Sequence, residues 1–324
     1  MVLLDDDCIY NILLKLTSND ILNCSLVNKQ FNRCHYNEQL WKFITCKYLT
    51  GYIKQDKWFD TFKMNKQFLH IMKVSHYNKT INEFYNNDII IFTIPLDKPP
   101  KAIRHLIKLS QLIFRGCGIN SVCEEIGELI NLKLLNFETN NIKIIPQELG
   151  NIINLESLTF FCNKIETIPK EIGNLINLKD LSFSSNQIKL LPKEIGNLKN
   201  LEKLRLNDNQ LEYLPKEIGL LEKLKELSAY NNMLTNLPKE IENLTSLEKL
   251  ILNTNKFAFI CPEIENLTNL KFLELSENSI QTIPPFIGKL INLKCLNLRK
   301  NNIKKICDEL YYLQNLDKTY FNHL

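Results

Sequence analysis

A motif of 23 residues recurs along most of this chain. Leu178–Asn200 reads LKDLSFSSNQIKLLPKEIGNLKN, and Leu201–Lys223 reads LEKLRLNDNQLEYLPKEIGLLEK. If the first Leu is position 0, apolar residues fall at positions 0, 3, 5, 10, 13, 17 and 20, with Asn at 8 and Pro at 14. A fixed short period narrows the possible folds more than composition can. One such unit cannot bury its own apolar face, so copies must stack and share a continuous core.

Each position has a physical reason. Leu181 and Phe183 alternate with polar neighbours, which predicts a short strand with one face inward. Asn186 follows where that strand ends. Its amide offers two donors and an acceptor, enough to satisfy backbone groups where the chain turns away. Pro192 stops further pairing, and its fixed φ suits the start of a helical turn. Ile195 and Leu198, three apart, pack one face of that turn inward. The pattern resembles the leucine-rich repeat family in its 23-residue LPxEIGNL form. Full repeats start at Leu109, Leu132, Leu155, Leu178, Leu201, Leu224, Leu247, Leu270 and Leu293, with a fragment from Leu316. The fold class expected is an α/β solenoid, a leucine-rich repeat horseshoe preceded by a small all-α domain.

The N-terminal 50 residues are a different object. Ile9, Ile12, Leu13 and Leu16 form a helical apolar stripe behind Asp5, Asp6 and Asp7, acids that suit a helix start. Thr17–Asp20 is a turn rich in N-cap residues. Ile21, Leu22, Leu26, Val27 and Phe31 predict a second helix, and Leu40, Trp41, Ile44 and Tyr48 a third. Three short helices bury little surface alone, so this segment is expected to dock its apolar face on something. The segment resembles the F-box. The residues that carry the likeness are Leu4, Asp7 in place of the usual Glu, Ile9, Ile12, Leu13, Leu16, Leu22, Val27, Phe31, Leu40 and Trp41. It departs at Asp5, where the family has Pro. The resemblance implies that Leu4, Ile9, Ile12, Leu13, Leu16, Leu22, Val27, Phe31, Leu40 and Trp41 bind the Skp adaptor of a Skp–cullin–F-box ubiquitin ligase, while the repeats hold a protein substrate.

Residues 51–85 carry Trp58, Phe59, Phe62 and Phe68 and are read as a helical linker packing the F-box against the solenoid end. Residues 86–108 fit the repeat weakly, with Ile89 and Ile91 at positions 3 and 5, Pro100 at 14, Ile103 at 17 and Leu106 at 20. They are read as an N-terminal cap. Nine repeats then span 109–315. Residues 316–324 form a partial repeat, with Phe321 in a last short, fraying strand.

Strand alternation puts positions 2, 4, 6 and 7 on the concave side, facing solvent. Aromatic and Arg side chains carry most interface energy. Phe161, Arg205 and Tyr230 are therefore the expected hot spot for a substrate, with Glu274, Glu277, Arg299 and Lys300 as a mixed-charge rim.

No catalytic constellation stands out. There is no P-loop, HExxH or GxSxG, and the five His are scattered. Glu171, Glu194 and Glu217 recur as a ladder, which reads as structural, since a general base is one perturbed group. No cofactor or metal is expected. The ten Cys show no CxxC pair, and MVLLDDDCIY has no basic region of a secretory signal, so reduced thiols in a cytoplasmic or nuclear protein are expected. If the chain is viral, that place is the host-cell cytoplasm. A net charge of +4 gives no reason to expect nucleic acid, and no run of 18 apolar residues suggests a membrane span. The expected assembly is one copy within a hetero-complex of Skp adaptor, cullin core and substrate. The alternative is a signalling scaffold, similar to the Ras-associated leucine-rich repeat proteins, whose N-terminal helices are only a cap. A ligase with its own catalytic domain needs a Cys-bearing domain that the nine residues after Asn315 do not supply.

Overall fold

The computed structural model divides the chain between Asn87 and Asp88, and it describes residues 88–92, 96–99, 103–104 and 106–317. The three helices expected in residues 1–50, the linker, Pro100 and the strand expected around Phe321 lie outside the described residues.

Among the described residues ten parallel strands stand side by side in chain order. They are β1 (Ile89–Phe92), β2 (Gln111–Phe114), β3 (Leu134–Asn136), β4 (Ser157–Thr159), β5 (Asp180–Ser182), β6 (Lys203–Arg205), β7 (Glu226–Ser228), β8 (Lys249–Ile251), β9 (Phe272–Glu274) and β10 (Cys295–Asn297). From β2 onward the register advances one repeat per strand, so that Leu181 faces Leu204 and Leu204 faces Leu227. The position 3 residue of every strand is buried, and so is position 5 just beyond it.

Position 5 builds a spine. Phe92, Phe114, Phe137, Phe160 and Phe183 are each less than 2% exposed. Successive rings stack at centroid distances of 4.4, 5.2, 5.3 and 5.7 Å. Each such pair contributes roughly 0.5–1.5 kcal/mol beyond area burial. From Leu206 on the column continues as Leu206, Ala229, Leu252, Leu275 and Leu298, all buried.

Position 8 closes the turns. Asn186 Nδ2 donates to the Phe160 and Phe183 carbonyls at 3.0 and 2.9 Å, and its Oδ1 accepts from the Ile165 N–H at 2.9 Å. One side chain thus ties its own strand end to the repeat before it. Asn140, Asn163, Asn209 and Asn232 repeat the pattern. At the first rung Cys117 stands in for Asn, and its thiol donates to the Phe92 carbonyl at 3.3 Å.

One expectation is corrected. In β1 it is Ile90 and Phe92 that are buried, at 2% and 1%, while Ile89 and Ile91 are 40% and 49% exposed. The strand pairs Ile90 with Leu112, a spacing of 22. That register seats Phe92 on Phe114, a stack that an inward Ile91 would forfeit. Pro192 stands where expected, at the start of a helical turn. It is extended, at φ −67 and ψ 144, and caps a five-residue 3-10 turn, Lys193–Asn197. The turns are tight enough that neighbouring backbones nearly touch. A Cβ on Gly150 would sit 2.5 Å from the Glu171 carbonyl oxygen, so that rung is packed around its glycine, whereas two later repeats carry Glu242 and Glu265 at the same position.

A second asparagine row, at position 22, was not anticipated. Asn131, Asn154, Asn177 and Asn200 donate to the carbonyls of Ile107, Ile130, Ile153 and Ile176 in the repeat before, at 2.7–2.9 Å. Position 1 carries an alternating charge ladder: Lys133, Glu156, Lys179, Glu202, Lys225, Glu248, Lys271. Lys179–Glu156, Lys225–Glu202 and Lys271–Glu248 close at 2.7, 2.8 and 2.8 Å. The hydrogen bond from the partner Lys, then its charge, holds the Glu156 and Glu202 carboxyls below their ordinary value. The same bonds push Lys179 and Lys225 up.

The sign of the pH dependence follows. A lowered carboxyl stabilises the fold above its unfolded value and loses that effect as pH falls through its folded value. A raised amine stabilises below its unfolded value and loses the effect as pH rises through its folded one. Both windows flank neutrality. The Tm deficit of Glu202→Gln against wild type is therefore expected to be largest near neutral pH and to vanish below the carboxylate range. Because the pairs lie at the solvent surface, it should also shrink in about 1 M salt. A deficit unchanged at acid pH would show that the ladder contributes nothing by charge.

Candidate functional site

The concave face is built by positions 2, 4, 6 and 7. At its centre Arg205 on β6 is clamped between neighbouring strands. Its Nη1 donates to Asp180 on β5 at 2.8 Å and its Nε to Glu226 on β7 at 3.0 Å. A guanidinium held by two carboxylates is a fixed part of the floor, not a spare cation reaching outward. Phe161 and Tyr230 do stand out, 38% and 37% exposed. Burial, and then a hydrogen bond to Asp208, pushes the Tyr230 phenol up. Glu274 accepts from Asn297 Nδ2 at 2.7 Å, and Arg299 is exposed beyond it.

The face is not open to solvent at every position, which corrects the alternation argument. Ser182, Ser184, Asn207 and Ser228 are only 8%, 4%, 8% and 3% exposed. Strands lie about 5 Å apart, so a short side chain between longer neighbours is covered by them. These residues are also bonded together. Ser228 Oγ donates to Asn207 Oδ1 at 2.6 Å, and the Asn207 N–H donates to Ser184 Oγ at 3.2 Å. The result is a pinned polar floor with Phe161 and Tyr230 rising on either side.

Position 7 turns the chain out of each strand in the left-handed region. Thr139, Cys162, Ser185, Asp208, Asn231, Thr254, Glu277 and Lys300 all have φ between 51 and 58. These are non-Gly residues in a region that disfavours a Cβ, and every copy of the turn repeats it. Asp208 gathers the row by accepting from Asn231 Nδ2 at 2.8 Å and Ser185 Oγ at 3.4 Å.

Leu4, Ile9, Ile12, Leu13, Leu16, Leu22, Val27, Phe31, Leu40 and Trp41 lie outside the described residues. Among the described residues no three His, Cys, Asp or Glu converge as metal ligands, and no helix is long and apolar enough to cross a membrane. The six described cysteines are in no disulfide, and burial pushes the Cys117, Cys261 and Cys307 thiols up.

Family models match the chain in three places. A leucine-rich repeat region matches residues 162–260, a two-copy leucine-rich repeat model 268–312, and an F-box-like model 6–47. This is an F-box and leucine-rich repeat protein. Both are protein-interaction modules. No curated protein sequence matches the chain significantly. Among solved structures, a leucine-rich repeat protein of Leptospira interrogans is 34% identical, with a TM-score of 0.64 over 68% of this chain and 62% of its own. The plant peptide hormone receptor RGFR1, solved in complex with RGF2, is 31% identical, with a TM-score of 0.62 over 71% of this chain and 37% of its own. An internalin of Listeria monocytogenes shares the fold at 20% identity and a TM-score of 0.55, over 77% of this chain and 93% of its own. The F-box and leucine-rich repeat protein thus spans about three fifths of the Leptospira chain and little more than a third of the plant receptor.

Proposed function

We propose that this protein is the non-catalytic substrate receptor of a Skp–cullin–F-box ubiquitin ligase. The observation that carries the reading is the order of the two modules, an F-box-like segment at 6–47 followed by a repeat array. The F-box grips the Skp adaptor through Leu4, Ile9, Ile12, Leu13, Leu16, Leu22, Val27, Phe31, Leu40 and Trp41, and the adaptor joins the cullin core. The concave face holds the target between Phe161 and Tyr230, with Glu274 and Arg299 toward one rim. Its pinned floor supports such a role, because a preorganised surface loses little entropy on binding. The place of action is the cytoplasm or nucleus, where a ubiquitin ligase works.

Co-expression with the Skp adaptor tests this on the full chain. Wild type should co-purify with the adaptor in a stoichiometric complex, and Leu13→Asp should lose it, since a charge in an apolar interface goes unpaired. Circular dichroism and the melting of the repeats should be unchanged in the variant. A folded wild type that captures no adaptor would defeat the receptor reading and leave a repeat scaffold with a helical cap.

A further inference from the structure

Between Lys294 and Lys305 the chain carries five cations, Lys294, Arg299, Lys300, Lys304 and Lys305, and no acid. At position 1 Lys294 also interrupts the alternation of acids and bases, since it follows Lys271, and Asp317 resumes it. Lys300 meets Glu277 in the repeat before. Lys294, Lys304 and Lys305 are exposed and form no ion pair among the described residues.

The local backbone fixes where these residues sit. Lys300 takes the left-handed turn at φ 55 out of β10. Asn301 pins that turn by donating to the Leu275 and Leu298 carbonyls, both at 2.9 Å. The chain then pairs Lys305 with Thr282 of the preceding repeat in a parallel bridge. Next to Lys304 and Lys305 on that repeat stand Ser279, Gln281 and Thr282, exposed and uncharged. At Lys304 and Lys305 the positive charge therefore has no acidic neighbour in this stretch of the preceding repeat. It forms an arc that begins at the concave rim with Arg299 and Lys300 and continues around the edge to Lys304 and Lys305.

We propose that this arc docks an acidic segment of the bound protein partner. Charge complementarity selects the sign, and the arc's continuity with the concave rim selects the partner. A target lying on the concave face meets these cations as it leaves. A nucleic acid fits less well. The arc holds no aromatic side chain for a base to stack on, and its cations ring one repeat instead of tracking a phosphate backbone. The inference rests on the receptor reading only in calling the bound protein a ligase target.

The test is fluorescence anisotropy of a labelled oligoglutamate–glycine peptide on the full-length protein at about 50 mM salt, where screening is weak. The double variant Lys304→Glu, Lys305→Glu should bind about tenfold more weakly, chiefly through slower association. Lys170→Glu, Lys193→Glu makes the same change in net charge elsewhere on the array, and should bind within about twofold of wild type. Lys304→Gln with Lys305→Gln, which cannot repel the peptide, should fall between. Equal loss in the two Glu variants would overturn the arc in favour of a net-charge effect. An RNA oligonucleotide that outcompetes the peptide would overturn it in favour of nucleic acid, and absence of wild-type binding would also overturn it. Adaptor capture measured on the same proteins separates the two readings. Peptide binding without adaptor capture sinks the ligase role alone, and adaptor capture without peptide binding sinks the arc alone.

Discussion

Phe137→Ala is expected to lower stability by about 4 kcal/mol, the middle of the range for truncating a buried aromatic. The ring is fully buried, and it stacks on Phe114 at 5.2 Å and on Phe160 at 5.3 Å. Its loss removes two stacking contacts and leaves a cavity that the flanking rings cannot fill, because each is held by its own strand. The consequence is larger in a solenoid than in a globular core. A repeat array is stabilised by nearest-neighbour interfaces, and one weak interface can uncouple what lies on either side. The variant should therefore unfold in urea in two steps, with the repeats before Phe137 melting first and the remainder close to wild type. Leu252→Ala, at the same position in a Leu stretch, has no aromatic stack to lose and should cost about 3 kcal/mol. A single transition with a loss under about 1 kcal/mol for Phe137→Ala would mean that the spine is not what couples the repeats.

Much of this architecture was legible in the sequence because its causes are local and repeated. The period set the strand spacing, and apolar residues at positions 3 and 5 named the buried columns. The cap register was not legible in the same way. Ile89-Ile90-Ile91-Phe92 has no alternation, so either register buries isoleucine, and only Phe92 stacking on Phe114 decides between them. The state of Arg205 depends on residues 25 before it and 21 after it, which come alongside only when β5 and β7 flank β6. The burial of Ser182 and Ser228 follows from the length of their neighbours, a property of the assembled face. The Lys–Glu ladder and the second asparagine row were present in the sequence but are visible only when the repeats are read down a column. The likeness of residues 6–47 to the F-box rests on no structural detail in the described residues, so the Leu13→Asp experiment carries that part of the case.

Asn186→Ala is expected to cost about 3 kcal/mol, comparable to Phe137→Ala by an unrelated mechanism. The side chain is 8% exposed and serves the Phe160 and Phe183 carbonyls and the Ile165 N–H. Alanine leaves the Ile165 N–H buried and unpaired, at roughly 1–3 kcal/mol, and takes one of two donors from each carbonyl, Phe160 keeping Asn163 Nδ2 and Phe183 keeping Asn209 Nδ2. The natural variant at the first rung shows how the position degrades. Cys117 keeps a donor to the carbonyl at the end of the neighbouring strand but has no amide oxygen, and it sits at the end of the array, where fewer repeats depend on it. Asn186→Cys should therefore fall between wild type and Asn186→Ala. Asn186→Asp separates the two halves of the amide, since it keeps the acceptor for Ile165 and sets a carboxylate against two carbonyls. It should be the worst of the three near neutral pH, and it should recover in acid, where protonation restores a donor. Urea midpoints at two pH values measure this directly. If Asp and Ala behave alike at both, the donor half of the amide is not what holds the turn, and the repeat closes through its left-handed residue and apolar columns alone.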